Sequence, residues 1–415
     1  MVRTSCVSMA ALIAGSVAGG AAAQDNMDDL GEFRQTGTSL EIPSIPQDSD
    51  SADAIRETLK GIDLPPGFEI ELYALVPDAR HMAVGPNVGV VFVGTRKTDV
   101  WAVTDRDKDR VADEVKRFAP SVSFTFPNGP FFSEDGILYI AEHNRLLAFP
   151  AAEFFYEGPD VAVAVVKEQF FPAEQEYFNH AFRVGTIGPD NMIYVAIGQK
   201  HNVWPPSEGS DMGILGSIVR MNRDGSDMEV YATGIRNSVG LDFHPETAEL
   251  WFTDNQVDGM GDDIPPGEIN RATGPGQHFG FPWYGGGDVR TNEWADSEPP
   301  ADTVFPEVET VAHAADLGMS FYTGEQFPAE YRGGIFSAQH GSWNRTEPVG
   351  ARVMFTPIND DGTVGETVVF ADGWLNEDTG EYLGRPVDVK PYLDGSILVS
   401  DDLAGAIYRI SYDED

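Results

Sequence analysis

One short unit returns six times along the chain. Each copy has an apolar lead-in and a turn, then a strand that ends in a polar or acidic residue. The copies are Gly89–Gly94, Gly136–Glu142, Met192–Gly198, Leu250–Asp254, Gly334–Ala338 and Ser396–Asp401. Glu134-Asp135-Gly136, Pro189-Asp190-Asn191 and Leu393-Asp394-Gly395 supply turns before three of them, and a second strand follows in Arg145–Phe149 and Ala406–Ile410. Such runs are strands bounded by turn residues. Six copies at a repeat of roughly 50 to 85 residues predict an all-β, six-bladed propeller over residues 61–415, with an irregular sandwich or two β domains as the competing arrangement. A propeller gathers one loop from each blade at its central channel, so function belongs there.

Composition narrows the partners. The chain has 415 residues, a net charge of -40 and only 27 Lys plus Arg against 67 acids. Nucleic acid, whose phosphates demand basic residues, is excluded as a partner, and so is an anionic membrane surface. The N-terminus reads as a signal peptide over residues 1–23: Arg3, a small apolar stretch from Val7 to Val17, and Ala21-Ala22-Ala23 before Gln24. No other run has the length of a membrane span, so no membrane insertion is expected and the protein is placed in the periplasm or outside the cell. Cys6 is the one cysteine, and it lies inside that leader. The processed chain has no thiol, disulfide or c-type haem attachment. Residues 24–60 read as an acidic tail or linker.

The segment Trp251–Asn270 is a strand that becomes an acidic turn-rich loop. Asp254, Asp258, Asp262, Asp263 and Glu268 arrive among Gly259, Gly261, Pro265, Pro266 and Gly267. Carboxylates so crowded repel unless a cation lies between them, and the hard oxygen donors favour Ca²⁺. Asp105-Arg106-Asp107-Lys108-Asp109, extending to Asp113, offers a second alternating set, with Arg110 where a calcium loop of the EF-hand type has glycine.

A second set of residues recurs at one phase of the repeat: Phe126-Pro127-Asn128-Gly129, Phe178–Arg183 with His180, Gly234-Ile235-Arg236-Asn237, Gln339–Arg345 with His340, Asn344 and Arg345, and Leu383–Asp388 with Arg385. Propeller geometry converges them. A basic pocket on an acidic protein suits an anionic ligand, because arginine recognises planar carboxylates. His81, His143, His201, His244, His278 and His313 lack comparable contexts and are read as structural. No Gly-x-Gly-x-x-Gly fingerprint follows a strand, which argues against a nicotinamide cofactor.

Taken together, TDNQVDGMGDDIPPGEIN, HGSWNR, GIRN, FPNG, GRPVDV and the terminal SDDLAGAIYRISY resemble the soluble quinoprotein glucose and sorbosone dehydrogenase family, from about Leu64 onward. The resemblance implies a six-bladed propeller that oxidises an aldose or a sorbosone-like aldehyde with pyrroloquinoline quinone (PQQ) and Ca²⁺. It implies His180 as general base, Arg236 and Asn237 against the quinone, and Arg385 near the cofactor carboxylates. Asn128 and His340 fall among the cofactor-binding candidates. Asn344-Arg345 stands where some members have Lys-Arg. Asp254, Asp262, Asp263 and Glu268 lie in the calcium segment, and Gly267 stands where members often have an acid. The expected partners are a small sugar and a diffusible electron acceptor. A Ca²⁺-dependent lactonase-type hydrolase and a non-catalytic sugar- or protein-binding propeller are the alternatives; the hydrolase needs a central cation ringed by acids and has little use for arginines.

Overall fold

Every one of the six runs is the second of four consecutive antiparallel strands in one sheet. The computed structural model describes residues 42–359 and 361–413, so the expected signal peptide and residues 24–41 of the acidic tail lie outside the described residues. Blade 1 comprises Met82–Val84, Val91–Val93, Val100–Thr104 and Glu114–Phe118; blade 2, Gly129–Phe132, Leu138–Ala141, Leu146–Phe149 and Ala164–Lys167. Blade 3 comprises Val184–Ile187, Ile193–Ile197, Ser217–Met221 and Glu229–Thr233, extended by the short parallel strand Gln277–His278. Blade 4 holds Gly240–Phe243, Leu250–Asp254, Gly267–Ala272 and Val308–Thr310; blade 5, Asp316–Phe321, Ile335–Gln339, Arg352–Thr356 and Val368–Ala371. Blade 6 is Pro386–Pro391, Ile397–Asp401, Ala406–Tyr412 and, as its outer strand, Phe68–Leu75 from the other end of the chain. Pairing Phe68 with Tyr412 and Ile70 with Ile410 closes the ring. The first strands of successive blades touch in order around the channel, blade 6 meeting blade 1.

The second strands are buried throughout because both of their faces are covered. Phe92 packs with Leu138, Ile140 and Phe149 of blade 2. Its neighbours Val91 and Val93 point the other way, into a cluster with Leu398 and Ile407 of blade 6. Side chains alternate across a strand, so a strand between two blades buries every position.

The stretch before the first blade corrects one expectation. Residues 42–60 are not loose: Asp50–Leu59 is a helix, α1, capped by Ser49, whose hydroxyl accepts the Ala52 N–H at 3.3 Å. Ala52, Ile55 and Leu59 recur at helical spacing and enter the cluster between blades 5 and 6 with Trp374, Phe370 and Tyr408.

Strand geometry fixes where the motifs go. In an antiparallel blade the loop entering the first strand and the loop joining the second to the third emerge at the same edge. Asn128, His180, Arg236 and Arg385 enter first strands, while Asp254–Pro266 and His340–Val349 follow second strands. All of them reach one face of the ring.

Candidate functional site

On that face the channel opens into a cavity of about 320 Å³. Its walls include His180, Arg236, Asn237, Asp254, His340 and Asn344 from the sequence candidates. They also include Asp258 of the acidic loop, and Arg80, His313, Asp316 and Trp343, which the sequence reading did not single out as site residues.

His180 sits at φ 54° directly ahead of blade 3. Its Nδ1 lies 2.7 Å from the carbonyl oxygen of Gln199. A carbonyl only accepts, so Nδ1 carries the proton and Nε2 keeps its lone pair. No described residue bonds Nε2. Burial, and then the Arg236 charge, hold the imidazole near a pKa of about 3. His180 is a neutral acceptor at working pH.

Arg236 and Asn237 enter blade 4. Their backbone N–H groups donate to the two oxygens of Asp254, at 2.9 and 2.6 Å. The Arg236 guanidinium is buried and heavily engaged: Nε donates to the Asn202 carbonyl, Nη1 to that of Asn255, and Nη2 to Asn202 Oδ1 and Asp258 Oδ2. It is a fixed part of the wall, its charge already met by Asp258 at 2.8 Å.

Asp254 pairs across the sheet with Glu268. Glu268 accepts from Gln256 Nε2 at 2.6 Å, Asn270 Nδ2 at 2.9 Å and the Gly287 N–H at 2.6 Å. Those donors favour the ionised form. Burial outweighs them for both groups, with the neighbouring carboxylate adding to it for Glu268, and both are pushed well above the usual range. The pair is short of positive charge, and the unpartnered Asn270 Oδ1 is a further oxygen beside it. This donor set fits a hard cation.

The rest of the expected metal set does not join it. The Asp262 carboxylate meets the Thr346 N–H, and Asp263 is exposed, 3.6 Å from Arg345. Contiguous residues of a turning loop point different ways, so only the strand-borne acids converge. Gly267 has a structural reason to lack a side chain: a Cβ there would lie 2.3 Å from Asp316 Oδ2.

Three cofactor candidates also need correction. Asn128 does not line the cavity. It is fully buried, taking Arg80 Nε on its oxygen and donating to His81 Nδ1 and the Arg183 carbonyl. Arg345 turns to the acidic loop, donating to the carbonyls of Asp262, Ala312 and Glu347. Arg385 clamps the carbonyls of His340 and Gly341 while stacking over Tyr382, and so holds the His340 loop from behind. Asn344 does reach the cavity, bonded to Asp258 at 2.7 Å and to His313 Nδ1 at 3.2 Å.

His340 Nε2 lies 2.9 Å from Asp402 Oδ1, and burial lowers its pKa to about 4. Asp402 also receives Arg80 and Arg96, and its carboxyl is held well below the usual range: the His340 and arginine contacts overcome a large opposing effect of burial. Arg80 and His313 occupy the phase of the repeat that carried His180 and Arg236, just ahead of blades 1 and 5. That phase was the available signal for both.

Asp105, Asp107 and Asp109 bring carboxylate oxygens within 4.8 Å of one another, on the opposite face, between the third and fourth strands of blade 1.

A family model described as glucose/sorbosone dehydrogenase matches residues 169–344. An uncharacterised protein of Borreliella burgdorferi is 31% identical over 368 residues, covering 88% of this chain and 93% of its own length. The aldose sugar dehydrogenase YliI of Escherichia coli is 25% identical over 243 residues, covering 53% and 56%. Among solved structures, the calcium structure of the Trichoderma reesei carbohydrate-active enzyme of family AA12 superposes with a TM-score of 0.72 at 19% identity, over 85% of this chain and 97% of that one. The holo PQQ domain of a pyranose dehydrogenase from Coprinopsis cinerea gives 0.68 at 18%, over 84% and 97%. At these identities the superpositions establish the six-bladed fold.

Proposed function

The chain belongs to the glucose/sorbosone dehydrogenase family, and we propose that it oxidises an aldose or a related, sorbosone-like sugar aldehyde with PQQ as the acceptor, Ca²⁺ assisting and a diffusible carrier removing the electrons. The observation that carries this reading is the His180–Gln199 hydrogen bond, which leaves a neutral Nε2 in a cavity walled by Arg236 and Asn237.

PQQ, when bound, supplies a two-electron acceptor for the hydride leaving the sugar carbon. The chain's own residues do the rest. His180 Nε2 takes the proton of the hydroxyl on that carbon, as a general base within hydrogen-bond reach of the substrate. Gln199 holds the ring in the tautomer this needs. Asn237 and the Arg236 wall orient the cofactor. Asp254 fixes both residues through their backbone N–H groups. Asp254, Glu268 and Asn270 would hold Ca²⁺ behind that wall. His340 and Asn344 complete the lining. No helix among the described residues is long and apolar enough to cross a membrane, and the leader read at residues 1–23 supports export.

The test is reconstitution. Protein loaded with PQQ and Ca²⁺ should reduce a redox dye in the presence of one or more aldoses, and should do so neither without PQQ nor with NAD in its place. Dye reduction equal with and without PQQ overturns the reading.

A further inference from the structure

Arg80 differs from the other arginines of this face. It is buried, 4% exposed, and lines the cavity. Its Nε donates to Asn128 Oδ1 at 3.1 Å and its Nη1 to Asp402 Oδ2 at 2.9 Å. The guanidinium carbon lies over the Phe182 ring, 5.4 Å from its centroid. Nη2 takes no partner among the described residues. By contrast, the Nη2 of Arg236 is bonded twice, and Arg345 and Arg385 are spent on backbone carbonyls away from the cavity.

Asp402 is shared with Arg96, which Asp78 also meets at 2.8 Å, and with His340, so the charges around Arg80 are balanced and what it offers a ligand is the open Nη2 donor. A planar cation is thus clamped on two sides, set over a ring and open at one end. That arrangement is preorganised for a planar anion, since little side-chain entropy remains to be lost on binding.

We infer that Arg80 is an anion-binding residue of this cavity, taking a carboxylate through the open end of its guanidinium. In the context of the proposed function, on which the identity of the ligand rests, the carboxylate belongs either to PQQ or to an acidic sugar such as a uronic acid. Both present the same chemistry to Nη2.

The experiment uses the full chain as wild type, Arg80→Lys and Arg80→Gln. Arg80→Lys keeps a charge beside Asp402 and serves if Arg80→Gln does not fold; melting temperature monitors both. Malonate and PQQ are titrated separately by calorimetry, and turnover is compared for a neutral aldose and its uronic acid. The inference predicts that malonate affinity falls at least tenfold in folded variants. A parallel tenfold loss of PQQ affinity assigns the carboxylate to the cofactor. Unchanged PQQ affinity with a raised KM for the uronic acid alone assigns it to the substrate. A folded variant that binds malonate and PQQ and handles the uronic acid as wild type does overturns the inference and leaves the proposed function standing. If wild type fails to bind PQQ, the proposed function falls, and the loss or retention of malonate binding still decides the role of Arg80.

Discussion

The Nδ1 of His180 is held 2.7 Å from the carbonyl oxygen of Gln199, and the backbone N–H of Gln199 donates in turn to the carbonyl of Arg236. The base and the arginine wall are therefore registered to each other through one residue, without a water or a mobile side chain between them. Replacing His180 by Ala removes the proton acceptor and leaves this backbone link in place. Turnover should fall by roughly 10²-fold or more while folding and PQQ affinity stay close to wild type. The pH profile adds a second check. A base held near a pKa of about 3 is already unprotonated at pH 5, so kcat/KM should show no acidic limb near the ordinary histidine value of about 6.5. A limb there that persists at saturating Ca²⁺ would mean that a different, unburied histidine is the base.

Calcium dependence should track pH. Asp254 and Glu268 bind protons more tightly folded than unfolded, because burial disfavours their charge and, at Glu268, the Asp254 charge adds to it. Between the ordinary carboxylate range and those raised values the native state holds more protons than the unfolded one, so without a cation stability falls as pH rises through that window. A bound cation reverses the penalty by favouring the ionised pair. The melting temperature should therefore rise more on adding Ca²⁺ at pH 8 than at pH 5, and a chelator should erase the difference. Equal gains at both pH values would remove Ca²⁺ from this pair.

Gly267 and Asp316 should behave as a coupled pair. A Cβ at position 267 would stand 2.3 Å from Asp316 Oδ2 and 2.5 Å from Thr310 Oγ1. Gly267→Ala should destabilise by about 1–3 kcal/mol, the usual cost of overpacking a closed site. In an Asp316→Ala background the same change should cost clearly less, and a double-mutant cycle on denaturation midpoints measures the coupling. Additive effects would show that the crowding is relieved elsewhere.

The ring of blades was legible because its second strands are covered on both faces, which writes a short apolar-rich run six times over. The convergence of His180 and Arg236 followed from their phase ahead of a first strand, while His340 reaches the same face from the loop after a second strand. The phase held for Arg80 and His313 as well, and they were passed over because no recognisable motif surrounds them. Asp262 and Asp263 were misplaced for the opposite reason. They sit in a conspicuous motif, but neighbours in a loop share no face, and only Asp254 and Glu268 have a strand register to bring them together. Helix α1 was hidden because only three of its positions, Ala52, Ile55 and Leu59, are buried, in a stretch otherwise dominated by acids and serines. Asn128 and Arg385 show that a residue can lie ahead of a first strand and yet be spent on holding neighbouring segments in place.

The most direct test is a single turnover without dye or carrier. Protein loaded with PQQ and Ca²⁺ is mixed anaerobically with an aldose, and the quinone absorbance is followed. The account predicts bleaching of one equivalent of quinone per equivalent of protein with at least one sugar. It predicts that His180→Ala, binding PQQ equally well, bleaches at least a hundredfold more slowly, about the size of a general-base contribution. A loaded protein whose quinone spectrum no aldose changes, or a His180→Ala variant that bleaches at the wild-type rate, would contradict it.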